Sequence, residues 1–210
     1  MSLATDDGYM VTLAKRPITL TTIPGQISRN RTVVLDELFA PDAFLSGLIF
    51  VASNGYDHIW PGLTDTVAAG LRSFDLDALR ERNRLAELEN FREICTRIRD
   101  KYTRAPDLAQ PWVLILVNKF DLWASNVGEA EEYYLPECGS DFDMILQNLK
   151  DDLGNAAAFR HYLLPLATEK AEYKFQTSRG SLVAPSILDD SQCNASLKCL
   201  VETLEALRGT

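Results

Sequence analysis

The stretch that decides the fold is Trp112-Val113-Leu114-Ile115-Leu116-Val117-Asn118-Lys119-Phe120-Asp121. Six apolar residues follow Pro111 and run directly into the polar tetrad Asn118-Lys119-x-Asp121. A short, continuous apolar run of this kind predicts a strand that is buried on both faces, as in parallel sheets. The tetrad then lies at the carboxyl end of the strand, where open α/β sheets bind their ligands.

Length and charge limit the classes of protein to consider. The 210 residues can bury one substantial core, so we predict a single domain, 1–210. The net charge of −9 argues against nucleic acid and against anionic membrane surfaces as partners. No apolar run approaches the roughly 18–20 residues of a membrane span. We therefore expect a cytoplasmic protein that binds neither nucleic acid nor membrane.

The cysteines do not predict a metal site. The chain has four cysteines without Cys-x-x-Cys spacing and only two histidines, His58 and His161. Structural zinc sites require such clusters, so we predict no bound metal at these residues and reduced thiols.

The remaining segments predict an alternation of strands and helices. Residues 9–13 and 18–22 are rich in β-formers and only four residues apart, which favours an antiparallel hairpin. Residues 27–45 predict a polar loop and a short helix, and residues 46–53 a second apolar strand. Two further amphipathic helices are predicted, one after Asp141 and one in the C-terminal tail.

A long helix is predicted over 75–104, because this segment lacks Gly and Pro and carries an apolar stripe. The stripe consists of Leu88, Phe91, Cys95, Ile98 and Tyr102. The opposite face alternates in charge and is predicted to be solvated. It consists of Arg80, Arg82, Arg84, Glu87, Glu89, Arg92 and Glu93. Residues 122–140 are predicted to form a loop whose acidic run, around Glu129, is exposed.

The tetrad resembles the guanine-recognition motif of the Ras-like P-loop GTPases. The resemblance implies a three-layer α/β fold: a mostly parallel sheet with helices on both faces and an antiparallel N-terminal edge hairpin. Residues 54–106 would then contain an insertion with a long helix. In this family Asn118 would meet the N7 edge of the base, Lys119 would lay its stem along the ring, and Asp121 would accept N1–H and N2–H₂.

Two weaker matches follow from the same resemblance. Thr22-Ile23-Pro24-Gly25-Gln26 resembles the Asp-x-x-Gly-Gln motif, which makes Gly25 the γ-phosphate sensor and Gln26 the catalytic residue that orients the attacking water. Thr22 stands where the motif has Asp, which removes a magnesium contact. Thr177-Ser178-Arg179-Gly180 resembles the loop whose backbone meets guanine O6, which makes Ser178 and Arg179 candidate nucleotide contacts.

One part of the family pattern is missing. The sequence contains no Gly-x-x-x-x-Gly-Lys-Ser/Thr, the P-loop that cradles the phosphates and holds magnesium. The P-loop strand would lie between strands 18–22 and 46–53. Either those two strands pair directly, or a segment from outside these residues or a strand of another copy in a homo-oligomer fills the position. Mg²⁺ is therefore expected only if a P-loop is present.

These observations leave two functional hypotheses. The first is a GTP-binding domain that binds GTP or GDP and hydrolyses GTP if a P-loop is supplied from outside this chain. The second is a non-catalytic pseudo-GTPase module that binds a protein partner through helix 75–104 or the switch-like loop 24–33.

Overall fold

The computed structural model describes residues 3–5, 8–13, 16–20, 29–43, 45–56, 76–105, 111–135, 137–154, 160–168, 172–177, 180–185 and 187–208. The strands are β1 (Leu3–Thr5), β2 (Gly8–Leu13), β3 (Arg16–Leu20), β4 (Gly47–Ala52), β5 (Trp112–Val117), β6 (His161–Pro165), β7 (Glu172–Thr177) and β8 (Gly180–Pro185). The helices are α1 (Arg29–Leu38), α2 (Leu76–Arg104), α3 (Phe120–Trp123), α4 (Val127–Tyr134), α5 (Asp141–Asp152) and α6 (Asp190–Arg208), with a 3₁₀ turn at Ala124–Asn126.

Strand β5 is the middle strand of a parallel sheet ordered β4-β5-β6. The register sets Val113 between Leu48 of β4 and His161 of β6. From Val113 to Val117 no residue of β5 is more than 7% exposed. The prediction of a strand buried on both faces is confirmed, and the protein belongs to the α/β class.

Helices cover both faces of this sheet. Successive side chains of β5 point to opposite sides, so alternate residues of β5 join different core clusters. Val113, Ile115 and Val117 join the larger core cluster, which contains residues of α1, α2, α4 and α5. Leu114 and Leu116 join a second cluster, to which α6 contributes Leu197, Leu200, Leu204 and Leu207.

The long helix α2 belongs to the core. Its predicted apolar stripe is buried, with each of its five residues at most 6% exposed. Phe91 of α2 stacks on Phe142 of α5 with ring centroids 4.0 Å apart, and Phe50 of β4 lies 4.9 Å from Phe91. These rings join the sheet to the two helices that cover it.

A glycine is required at the start of β4. A Cβ at Gly47 would lie 2.0 Å from the indole ring of Trp112, its partner in the parallel register. The large ring thus fills the space that a side chain on the neighbouring strand would need. This pairing of a glycine with a tryptophan fixes the entry of both strands into the sheet.

The N-terminal strands form the predicted antiparallel hairpin, but their placement against the parallel sheet is not shown. β2 and β3 pair antiparallel, with Val11 opposite Ile18, and β1 adds a third strand. No described strand ladder joins them to the parallel sheet, so a position at its edge is not shown. Among the described strands β3 pairs with β2 and β4 pairs with β5, so direct pairing of β3 with β4 is not found.

The predicted loop over 122–140 is wrong for most of its length. The chain forms α3, a 3₁₀ turn and α4 between Phe120 and Tyr134. Ala130 and Tyr134 are 3% and 1% exposed, so α4 packs one face on the core. The sequence did not predict this helix, because two buried side chains on a short, acidic segment leave little periodic signal.

No described helix is long and apolar enough to cross a membrane.

Replacing Phe91 with alanine tests whether the ring stack holds the sheet to its helices. We expect Phe91→Ala to lower the free energy of unfolding by about 3–5 kcal/mol, because the ring is fully buried and leaves a cavity. Leu85→Ala on the same helix is the control. Leu85 is 52% exposed, so its loss should change stability by less than about 0.5 kcal/mol. Equal effects in urea denaturation would contradict this description of α2.

Alkaline pH should destabilise the protein through Cys95. Burial raises the pKa of Cys95 from 9.0 to about 12, whereas in the unfolded chain the thiol ionises near its ordinary value. The resulting stability is fully present below pH 9 and is lost as the pH rises toward 12. We expect the urea midpoint to fall across this interval, and to fall less in Cys95→Ala. An identical decline in both proteins would show that Cys95 does not contribute.

Candidate functional site

The tetrad lies at the carboxyl edge of the parallel sheet and is tied to both neighbouring strands. The Asn118 amide donates to the Ala52 carbonyl at the end of β4, at 2.7 Å. The Phe120 amide donates to the Leu166 carbonyl just after β6, at 2.9 Å. The tetrad therefore sits where the loops after β4, β5 and β6 meet, as the sequence predicted for a ligand site.

The two charged residues of the tetrad are buried. Lys119 adopts a left-handed conformation with φ 56° and is 7% exposed. Its ammonium donates to the Tyr56 carbonyl, so the lysine fixes the loop that follows β4. Asp121 is 2% exposed, and its backbone carbonyl accepts a hydrogen bond from the Ile187 amide at 3.1 Å.

The segment before α6 covers the tetrad. Leu188 forms a small core cluster with Ala167 and Cys193, and Phe120 and Ala124 pack against this cluster. With Asp121 at 2% exposure, a ligand can reach its carboxylate only after the covering residues move. The Asp121 carboxylate is therefore covered in this structure.

The loop Ser53–Tyr56 is held by a buried carboxylate of α2. Glu87, 3% exposed, accepts hydrogen bonds from the Ser53 and Gly55 amides through Oε1, both at 3.1 Å. Its Oε2 accepts from the Tyr134 hydroxyl at 2.8 Å. Burial and the Glu87 charge raise the pKa of Tyr134 well above its usual value, which keeps the phenol a donor.

Two further contacts complete this junction between α2 and the loop. Asn83 Nδ2 donates to the Gly55 carbonyl at 2.8 Å. Gly55 has φ +82°, and a Cβ there would lie 2.5 Å from the Arg80 carbonyl of α2. Only glycine allows both the left-handed conformation and this close approach. The loop thus packs directly on the helix backbone.

The prediction of a solvated charged face on α2 is wrong for Arg80, Arg84 and Glu87, whereas Arg82, Glu89 and Arg92 are exposed as predicted. Arg80 and Arg84 both reach Glu129 of α4, at 3.3 and 2.8 Å, and their side chains are only 12% and 14% exposed. The Arg80 guanidinium lies 4.7 Å from the centre of the Tyr56 ring. The prediction was wrong because alternating charge also occurs where a helix packs polar side chains against a loop and another helix.

The strand before the second candidate loop is not among the described strands of the sheet that carries the tetrad. The strand leading to Thr177 is β7, which pairs antiparallel with β8 and belongs to a separate two-stranded sheet. Ser178 and Arg179 lie outside the described residues, so their role stays a prediction. The loop that follows the last parallel strand is 166–168, beginning at Leu166. The apolar run 162–166 was the sequence signal for that strand.

The residues predicted to act on the phosphates are not described. Thr22, Gly25 and Gln26 lie outside the described residues, so the structure does not place them relative to the tetrad. Among the described residues no group of three or more His, Cys, Asp or Glu side chains could hold a metal ion. The described residues therefore include Asn118, Lys119 and Asp121, which the sequence predicts to bind the base, and none of those predicted to act on the phosphates.

Sequence reasoning missed two residues of this site, Glu87 and Asn54. Glu87 lies among exposed charges on a helix, and nothing in the pattern marks it as buried. Asn54 follows an apolar strand, where Asn-Gly is a common turn signal.

Comparison with protein-family models, curated proteins and solved structures finds no match for this chain.

Removal of the Glu87 carboxylate should release the loop. We expect Glu87→Ala to lower the free energy of unfolding by about 3–5 kcal/mol, because two buried amides and a hydroxyl lose their acceptor. Glu87→Gln keeps the shape and one acceptor oxygen, so its effect should be smaller, about 1–2 kcal/mol.

Glu81→Ala is the matched control, because Glu81 is exposed on the same helix. It should change stability by less than about 0.5 kcal/mol in urea denaturation. A similar loss in Glu81→Ala and Glu87→Ala would contradict the role of Glu87 in holding the loop.

Proposed function

We propose that this protein binds a guanine nucleotide, GTP or GDP, through Asn118, Lys119 and Asp121. The observation that carries the proposal is the position of the tetrad at the carboxyl end of the central parallel strand. There the loops after all three strands of the parallel sheet surround it. Ligands of open α/β sheets bind at this edge.

The chemistry of Asp121 suits guanine rather than adenine. A carboxylate only accepts hydrogen bonds, and guanine offers two adjacent donors, N1–H and N2–H₂. Adenine has an acceptor at N1 and no amine at C2, so the carboxylate would face an unpaired acceptor. Because Asp121 is buried, such a mismatch is not relieved by water, and buried hydrogen-bonding sites discriminate strongly.

Lys119 and Asn118 would support the base in this proposal. The Lys119 ammonium is anchored on the Tyr56 carbonyl, which leaves the aliphatic stem to line the base. The Asn118 backbone is fixed at both ends, since its amide bonds Ala52 and its carbonyl accepts from the Trp123 indole at 3.0 Å. Rigid placement of this kind lowers the entropy lost on binding.

The proposal includes a P-loop NTPase-like fold whose first strand and phosphate loop lie outside this chain. GTP hydrolysis by Gln26 belongs to the proposal only where such a loop is supplied. The residues do not fit a magnesium site, because Thr22 stands in place of the expected Asp and the sequence has no P-loop hydroxyl.

A non-catalytic module that binds a protein through α2 or loop 24–33 is the alternative. Much of α2 is committed to the core and to the loop after β4, which leaves its outer face around Leu85, 52% exposed, for a partner. Retention of a nucleotide site would distinguish the two functions, because a pure interaction module has no need for an acceptor-only carboxylate buried in the tetrad.

Titration with fluorescent GDP tests the proposal. We expect saturable binding that GDP displaces and ADP does not, with Asp121→Ala weakening it by about a hundredfold or more because both base donors lose their acceptor. Asp151→Ala is the control, since Asp151 is exposed on α5, and it should bind like the wild type.

A second variant keeps the test valid if Asp121→Ala folds poorly. Asp121→Asn replaces one acceptor with a donor of the same shape, which matches xanthine, whose C2 carries a carbonyl in place of the amine. We expect preference to shift from GDP toward xanthosine diphosphate. Absence of GDP binding by the wild type, or binding unaffected by both variants, would reject the guanine site.

A further inference from the structure

Asn54, in the loop after β4, has a buried amide without a hydrogen-bond partner among the described residues. The residue is 0% exposed, and neither its Nδ2 nor its Oδ1 has a hydrogen-bond partner in the part of the chain that the structure describes. Buried polar groups are nearly always hydrogen-bonded, because losing water without a replacement is destabilising. An orphaned amide of this kind therefore calls for a functional explanation.

The backbone around Asn54 is held firmly in an uncommon conformation. Asn54 has φ 49°, in the left-handed region. Glu87 accepts from the amides of Ser53 and Gly55, the residues on either side. Conformations of this type persist where the surroundings impose them, and they concentrate at binding sites. The fold thus uses a buried carboxylate to present a side chain that makes no hydrogen bond in return.

A turn explains an asparagine with a left-handed backbone, but it does not explain an amide that is buried without a hydrogen bond. Glycine adopts the left-handed region more readily than asparagine and carries no polar group to bury. An asparagine in this conformation usually bonds the local backbone, and Asn54 makes no such bond among the described residues. The turn thus accounts for the backbone of Asn54 and not for its buried amide.

Asn54 lies beside the tetrad. Ala52 and Val117, the last residues of β4 and β5, lie opposite each other in the parallel register. Asn54 comes two residues after Ala52, and Lys119 comes two residues after Val117. The Asn118 amide bonds the Ala52 carbonyl, and the Lys119 ammonium bonds the Tyr56 carbonyl, on either side of Asn54 in the chain. The orphaned amide and the tetrad thus belong to one edge of the sheet.

We infer that Asn54 is a further nucleotide-binding residue, whose amide hydrogen-bonds the guanine base. This inference rests on the proposed function. Asp121 takes the N1–H and N2–H₂ donors, which leaves the ring nitrogens and O6 as acceptors for the Asn54 Nδ2 donor. Since Asn54 and Asp121 are both covered in this structure, the base reaches them when the covering residues move, and its entry then satisfies the buried amide.

Asn54→Gly separates a ligand contact from a role in the fold. We expect the unfolding midpoint of the free protein in urea to stay unchanged or to rise, because the variant removes an unsatisfied amide and eases the left-handed conformation. Fluorescent GDP should bind about tenfold more weakly, since one hydrogen bond to the base is lost.

Glu137→Gly is the matched control. Glu137 also has a left-handed backbone, φ 71°, but it is exposed and lies between α4 and α5. Glu137→Gly should show how a glycine at a left-handed position changes the unfolding midpoint in urea. Its affinity for GDP should equal that of the wild type.

The result that overturns the inference is an Asn54→Gly protein that binds GDP like the wild type, whatever its unfolding midpoint in urea. Such a result, with Asp121→Ala still weakening GDP binding, rejects Asn54 as a ligand residue and leaves the guanine site in place. If the wild type binds no GDP, the proposed function itself fails, and the contact between Asn54 and guanine is rejected with it.

Discussion

The burial of β5 on both faces is the constraint on which the rest of this structure depends. A strand with apolar side chains on both sides needs a helical layer on each, and its backbone needs a strand on each edge. The protein meets these needs with β4 and β6 as neighbours, α2 and α5 on one face and α6 on the other. Once this arrangement forms, the carboxyl ends of the three strands meet at one edge.

A second interaction gives that edge its shape. Glu87 fixes the start of the loop after β4, and Lys119 fixes its end at Tyr56. The tetrad is therefore not an isolated motif after a strand, since it shares a loop with a helix of the core. Movement of α2 relative to the sheet would shift the Tyr56 carbonyl and with it the lysine of the tetrad.

The strongest local patterns gave the correct elements. The apolar run of β5, the apolar strand β4 and the stripe of α2 are all confirmed as elements, because a continuous apolar run and a helical stripe are clear signals in the sequence. β5 and the stripe are buried, whereas β4 is only partly buried, with Val51 52% exposed. The helices of 120–134 were missed, because α3 spans only four residues and α4 buries only part of one face. The placement of β1, β2 and β3 could not be predicted either, since a hairpin pattern fixes pairing within itself and not its position against another sheet.

The sequence by itself determined the central strand, the α/β class and the polar tetrad that follows β5. These are properties of consecutive residues, which local periodicity and composition express directly. Only the tertiary structure decided that Glu87 is buried, that Lys119 holds Tyr56, that Asp121 is covered, and that Asn54 carries an unsatisfied amide. Each of these depends on side chains brought together from distant parts of the chain, and no pattern along one segment records which neighbour a charge or an amide will meet.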